Sequence, residues 1–196
     1  MNKLKFFKTH PDVNIPKFAT EQSACFDLSY SSAGKNGYKG FDRKNAPIER
    51  NHMNGKIFIN SGDRILVPTG LILDIPEGYS VRIHPRSGLS LKQGLILANA
   101  EGVIDSDYVE ELFLILTNDS ENSHWINNGD RLAQGELVVK EKYVLEETTK
   151  KPERKSDRDG GMGSTGINKI DTSNLNVVAQ SDQPVKRGRG RPKKVA

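Results

Sequence analysis

The sequence predicts an all-β domain of barrel or jelly-roll type. Two observations carry this. Short runs rich in β-branched and aliphatic residues recur along the chain, each bounded by Gly, Asn, Asp or Pro. No segment shows the 3.6-residue spacing of an amphipathic helix. Many short strands joined by tight turns favour a closed or double-layered β architecture, which leaves few open sheet edges.

Taken in order, Arg64-Ile65-Leu66-Val67-Pro68 and Leu71-Ile72-Leu73-Asp74-Ile75 read as two extended pieces broken at Pro68-Thr69-Gly70. Tyr79 to His84 alternates apolar and polar residues, the pattern of a half-buried strand. Leu95-Ile96-Leu97-Ala98 is a short apolar run, Glu111 to Thr117 a longer one, and Leu137-Val138-Val139-Lys140 closes the series. Residues 31–56 are rich in Gly, Asn, Ser and Lys with few apolar anchors, and predict a long surface loop. The expected organisation is a β domain over 1–145, a charged then glycine-rich arm over 146–166, and a low-complexity basic tail over 167–196.

Composition narrows the function classes. Hydrophobic residues make up 35% and charged residues 28%, so part of the length is solvated rather than core. There is no run of about 18 apolar residues, hence no expected membrane span. Met1 to Lys8 is basic, but Thr9, His10 and Pro11 intervene before any apolar segment, unlike a signal peptide. A single cysteine, Cys25, cannot form an intramolecular disulfide, and the four histidines are scattered without zinc-type spacing. A soluble cytoplasmic protein is expected. The net charge of +4 is unevenly placed. From Ile167 on, seven Lys/Arg face two aspartates, a net of +5, which leaves −1 on the first 166 residues. A charged partner is therefore expected for the tail alone.

Four segments have the residue types of a nucleotide site. Pro85-Arg86-Ser87-Gly88-Leu89 combines a planar fork of donors, a hydroxyl and a glycine that lets backbone approach an anion; the same composition also makes an ordinary turn. Asn99-Ala100-Glu101-Gly102-Val103-Ile104-Asp105-Ser106-Asp107-Tyr108 offers Asp105 as a general base and Tyr108 as a platform for a sugar, or else a hairpin whose Asp and Tyr simply cap and pack. Gly129-Asp130-Arg131-Leu132-Ala133-Gln134 resembles the earlier Gly62-Asp63-Arg64, and only the later copy carries an amide, Gln134, suited to a phosphate. Asp159-Gly160-Gly161-Met162-Gly163-Ser164-Thr165-Gly166 has the glycines and hydroxyls of a loop that wraps a phosphate, or of a linker. No P-loop lysine follows it.

The order of these segments is more specific than any one of them. Preceded by Ala24-Cys25-Phe26-Asp27-Leu28, they resemble the five ordered motifs of the trimeric dUTPase family over about residues 1–166. The resemblance implies a β jelly roll, a homotrimer whose subunits jointly build each site, and hydrolysis of dUTP to dUMP and pyrophosphate, which lowers dUTP and supplies dUMP for dTTP synthesis. It implies Mg²⁺ as cofactor, held by Asp27 through water. Arg86, Ser87 and Gly88 would grip the phosphates, and Gln134 the distal ones. The hairpin residues Asn99, Gly102, Val103 and Ile104 would pair with the uracil edge, Tyr108 would lie against deoxyribose, and Asp105 would deprotonate the attacking water. Arg158, Met162, Gly163, Ser164 and Thr165 would close over the nucleotide. Here the sequence departs from pattern: Met162 stands where the family places a Phe, Arg158 lies four residues before it instead of five, leaving Arg154 a competitor, and Glu110 replaces a glycine. Related deaminases of the same fold use a glutamate near the position of Asp105, and a regulatory protein without turnover is the non-enzymatic alternative.

The tail run Lys186-Arg187-Gly188-Arg189-Gly190-Arg191-Pro192-Lys193-Lys194 resembles an AT-hook. Arg189, Gly190, Arg191 and Pro192 would lie along a narrow A·T-rich minor groove. A polybasic tail without sequence preference and a nuclear localisation signal are the other readings of the same run.

Overall fold

The protein is described by a computed structural model covering residues 3–156. The described chain falls into two units divided after Val144. The first holds every regular element: β1 (Lys5–Lys8), β2 (Lys17–Phe18), β3 (Phe26–Ser29), β4 (Gly37–Phe41), β5 (Pro47–Asn51), β6 (Ile57–Ile59), β7 (Arg64–Pro68), β8 (Leu71–Asp74), β9 (Tyr79–Pro85), α1 (Ser87–Gln93), β10 (Leu95–Leu97), β11 (Gly102–Ile104), β12 (Phe113–Asn118), β13 (His124–Ile126) and β14 (Arg131–Val139). In the second unit, residues 145–156 are exposed and carry no helix or strand.

All pairings are antiparallel. One five-stranded sheet runs β10-β12-β7-β4-β5 and the other β11-β9-β14-β3-β2, with β1-β8 and β13-β6 as two-stranded sheets. The alternation seen in the sequence sets the inner faces. Val81 and Ile83 of β9, Ile65 and Val67 of β7, and Leu114 and Leu116 of β12 are all buried and belong to one core cluster. Burying such a side chain contributes roughly 1.5–3 kcal/mol, so these inward positions fix which face of each strand turns to the core. The expected jelly-roll class is the one observed.

Residues 31–56 are not a surface loop throughout. Gly37 to Asn51 form the β4–β5 hairpin, with Tyr38 paired to Arg50 and Gly40 to Ile48, and β4 adds to β7. The turn is built by Asp42, whose Oδ1 accepts the backbone N–H of Lys44 at 2.9 Å and Ala46 at 2.8 Å, with Asn45 at φ 63°. Gly40 is needed where β4 meets β7: a Cβ there would stand 2.1 Å from the Arg64 carbonyl oxygen. The hairpin is anchored by few but buried groups. The Tyr38 hydroxyl donates to the Phe58 carbonyl at 2.6 Å, and Arg50 donates to Asp63 at 2.7 Å, with Asp63 only 2% exposed. Burial alone would lower the Arg50 pKa, but hydrogen bonds to Asp63 and Tyr38 and the Asp63 charge outweigh it and raise it. His52 stacks on Tyr38 with ring centroids 5.9 Å apart, and burial holds its pKa below the ordinary 6.5.

Two further differences from expectation shape the site. A helix nevertheless forms at Ser87–Gln93, where α1 has no fully buried residue. A helix with no buried residue leaves no apolar stripe to find in the sequence. It ends at Gly94, φ 64°, whose N–H donates to the Ser90 carbonyl at 3.2 Å; a Cβ there would meet the Ser120 backbone nitrogen at 2.9 Å. β14 is nine residues long rather than the four expected at 137–140, because it begins at Arg131 through an irregularity between Arg131 and Ala133. That shift buries Leu132 and Ala133 in succession and brings Gln134 level with His84 and Asp27.

Candidate active site

The segment from Asn99 to Tyr108 folds back on β9. Gly102 pairs with Ile83, Val103 with Arg82 and Ile104 with Val81, leaving β11 as the edge of its sheet. The turn before it is tight: Ala100 sits at φ 58° and the Glu101 N–H donates to the Asn99 carbonyl at 2.6 Å. Asn99, Gly102, Val103, Ile104, Asp105 and Tyr108 together line a pocket of about 450 Å³, floored by Ile83, Leu97, Leu114 and Ile115. Asp105 is exposed at its rim, and among the described residues its carboxylate makes no hydrogen bond or ion pair. Tyr108 is held at the other end, its hydroxyl donating to the Glu111 carbonyl at 2.9 Å.

Glu111 is a residue that motif reasoning missed. One carboxylate oxygen accepts the Gly70 N–H at 3.0 Å, the other pairs with Lys35, and the side chain is 11% exposed. It therefore pins the end of the hairpin, Tyr108 included, to the barrel. Its neighbour Glu110, which stands in place of a glycine, is exposed and has no positive φ, so the position does not require glycine.

A second pocket of about 540 Å³ gathers Asp27, Arg86, Ser87, Gly88 and Gln134, together with Lys92. Arg86 caps the start of α1 in extended backbone (φ −98°, ψ 121°). Its side chain is oriented from two directions: Nε faces Asp27 Oδ1 at 3.3 Å, and Nη1 donates to the Arg131 carbonyl at 3.0 Å. Arg131 Nη1 donates to Asp27 Oδ2 at 2.9 Å, so one carboxylate organises two guanidinium groups. Gln134 donates to the Pro85 carbonyl at 3.1 Å. Gly88 has nothing within 4 Å of where a Cβ would stand, so this glycine leaves its backbone open instead of satisfying packing. Arg86 and Lys92 line this pocket against the single carboxylate of Asp27, which Arg131 meets from the adjoining pocket, a charge balance suited to an anion. Arg131 and Lys92 were not singled out from the sequence, although Arg131 lies within a quoted motif.

Asp27 is the residue expected to hold Mg²⁺ through water. No His, Cys or second carboxylate joins it in a metal-type cluster among the described residues. Mg²⁺ characteristically keeps several waters and binds through one carboxylate plus substrate phosphates. A carboxylate has about four lone-pair sites, so Asp27 retains acceptor capacity for metal-bound water beside its two arginines. Cys25 also faces this pocket, and burial first, then the charge of Glu136, push its pKa up, which holds it as a thiol and argues against a nucleophilic role.

The two pockets share no lining residue. Arg158, Met162, Gly163, Ser164 and Thr165 lie outside the described residues, as do Arg189, Gly190, Arg191 and Pro192. Arg154 is exposed in the segment after Val144. No helix among the described residues is long and apolar enough to cross a membrane.

Comparison with known proteins gives this arrangement its class. The family model for dUTPase matches residues 51–166. The chain is 33% identical to the deoxyuridine 5′-triphosphate nucleotidohydrolase of Caulobacter vibrioides over 165 residues, 84% of this chain and 94% of that protein. It is 41% identical to the enzyme of the same name from Brucella melitensis over 147 residues, 74% of this chain and 88% of that one. In fold it is similar to a variant of the Staphylococcus bacteriophage 80alpha dUTPase with dUpNHpp, at TM-score 0.66 and 20% identity, covering 85% of this chain and 100% of that one. It is similar also to the dUTPase of Streptococcus mutans, at TM-score 0.56 and 22% identity, covering 74% and 100%. Fold and relatives together define an all-β hydrolase of nucleotide metabolism. The chain belongs to the dUTPase family.

Proposed function

We propose that the chain hydrolyses dUTP to dUMP and pyrophosphate at a site assembled from copies of itself in a homotrimer. The observation that carries this reading is the pairing of an uncommitted carboxylate, Asp105, with a nucleoside-sized pocket walled by an edge strand. An edge strand presents backbone N–H and C=O groups. Those of the Gly102–Ile104 strand suit the O4 acceptor and N3 donor of uracil, and cytosine, with the inverse pattern, would leave them mismatched. Tyr108 is fixed at its hydroxyl, and its ring would support deoxyribose and leave no room for a 2′-hydroxyl. Asp105 would take a proton from the water that attacks the α-phosphorus.

The basic pocket would hold the triphosphate, with Arg86 aimed by Asp27 and the open backbone at Ser87 and Gly88 approaching the oxygens. Mg²⁺, when bound on the phosphates, would neutralise charge on the pyrophosphate leaving group. Because the Asp105 and Arg86 pockets are separate within one chain, the reading assigns them to neighbouring copies in each working site. Arg158, or its competitor Arg154, and Met162 to Thr165 would cover the bound nucleotide from a third copy.

The test is to incubate the pure protein and Mg²⁺ with dUTP or dCTP and follow pyrophosphate and ammonia. Pyrophosphate from dUTP, with neither product from dCTP, is the expected result. Ammonia from dCTP would assign a deaminase, and binding without turnover a regulatory protein. The tail is proposed to hold the enzyme near DNA, on the strength of its +5 charge and Gly-Arg-Pro centre. Deleting residues 180–196 should abolish salt-sensitive DNA binding and leave hydrolysis unchanged; DNA affinity that survives the deletion would contradict this role.

A further inference from the structure

On the outward face of the β9-β14-β3 sheet, beside the basic pocket, lie three groups that the reaction does not use. Cys25 precedes β3, His84 is near the end of β9, and Glu136 is in β14. Their ligand atoms all lie within 4.8 Å of one another. The cross-strand register explains the meeting: Gln134 pairs with His84 on one side and Asp27 on the other, and Glu136 follows two residues on, on the same face.

The His84–Glu136 separation is one that two donors on a single ion would have. His84 Nε2 stands 3.6 Å from Glu136 Oε2, too far for a hydrogen bond. Around a tetrahedral ion with bonds of about 2.0–2.3 Å, neighbouring donor atoms sit about 3.3–3.7 Å apart. The other nitrogen of the same ring, Nδ1, faces Glu101 Oε1 at 3.6 Å, and Glu101 is in turn met by Arg82 Nη1 at 3.5 Å. A metal-bound histidine commonly gives its second N–H to a carboxylate, which fixes ring and tautomer. In His84, Glu101 stands at ion-pair distance from the ring nitrogen that does not face Glu136, close enough to take up that contact after a shift of less than about 1 Å.

We infer that Cys25, His84 and Glu136 form a binding site for a divalent cation of the zinc class, with Glu101 orienting His84. A thiolate, formed when the ion displaces the Cys25 proton to solvent, an imidazole and a carboxylate select a borderline-soft ion, whereas Mg²⁺ takes oxygen ligands only. This site is therefore separate in chemistry from the Mg²⁺ expected on a triphosphate. Three protein ligands leave a fourth position for water or a further group. The inference does not depend on the hydrolase reading.

Co²⁺ is the probe, because a thiolate ligand gives it a charge-transfer absorption and four-coordination gives it intense d–d bands. The full chain, reduced and stripped with a chelator, is titrated with Co²⁺ in the presence of excess Mg²⁺. One Co²⁺ per chain with the thiolate absorption is expected, bleached by added Zn²⁺. His84→Gln should weaken binding by at least tenfold, and Glu101→Gln, at an exposed position, by about tenfold, with circular dichroism confirming that each variant is folded. Absence of the thiolate absorption in the unmodified chain, or Co²⁺ affinity unchanged in both variants, would overturn the assignment.

Discussion

Asp105→Asn is expected to lower pyrophosphate release from dUTP by about 10²–10⁴-fold, the usual contribution of a general base. Affinity for an unreactive dUTP analogue should stay within a few-fold. The substitution keeps shape and removes only the ability to take a proton. Since the Asp105 carboxylate makes no hydrogen bond or ion pair among the described residues, nothing in the hairpin depends on its charge. The backbone pairing of Gly102–Ile104 with β9 and the Tyr108–Glu111 bond should therefore persist. Turnover and analogue binding measured side by side check this. A kcat equal to that of the unmodified chain would remove Asp105 from the chemistry.

Arg50→Ala should destabilise the protein by about 3 kcal/mol, the low end for removing one partner of a buried pair. Asp63 is 2% exposed and accepts Arg50 at 2.7 Å. The Asn60 N–H at 3.0 Å and side-chain amide at 3.1 Å remain to share its charge, which is why the low end applies. For a domain of this size the loss corresponds to a fall in Tm of roughly 6–12 °C. Thermal unfolding followed by circular dichroism reads it directly. If 31–56 were a surface loop the same substitution would sit within about ±0.5 kcal/mol, so the measurement also distinguishes the hairpin from the loop that composition suggests.

Much of the barrel was legible because alternation reports burial. Strands β7, β8, β9, β10 and β12 bury alternate aliphatic side chains, and a period of two is visible in the residues themselves. The β4–β5 hairpin was not, for a physical reason. Tyr38 is the only buried residue in its ten strand positions, Ile48 is only partly buried against the core, and the polar tie to the barrel is Arg50 on Asp63. Long-range polar pairing has no sequence period. Helix α1 was not legible because none of its residues is fully buried and Leu89 alone packs partly against the core. In the site, the residues offering a carboxylate, an aromatic ring or an arginine in an ordered motif could be named. Those that act by supporting others could not. Glu111 matters through Gly70 and Lys35, distant in sequence, and Arg131 through Asp27, across a strand pair.

Asp105 and Arg86 of different copies of the chain are proposed to work in the same site, and one measurement addresses that directly. Asp105→Asn and Arg86→Ala chains, each nearly inactive alone, are co-expressed so that mixed trimers form, and dUTP hydrolysis is assayed in the purified mixture. Sites that combine the intact Arg86 of one chain with the intact Asp105 of another should restore a readily measured share of the unmodified activity. Activity no greater than the sum of the two variants assayed separately would contradict a site shared between copies.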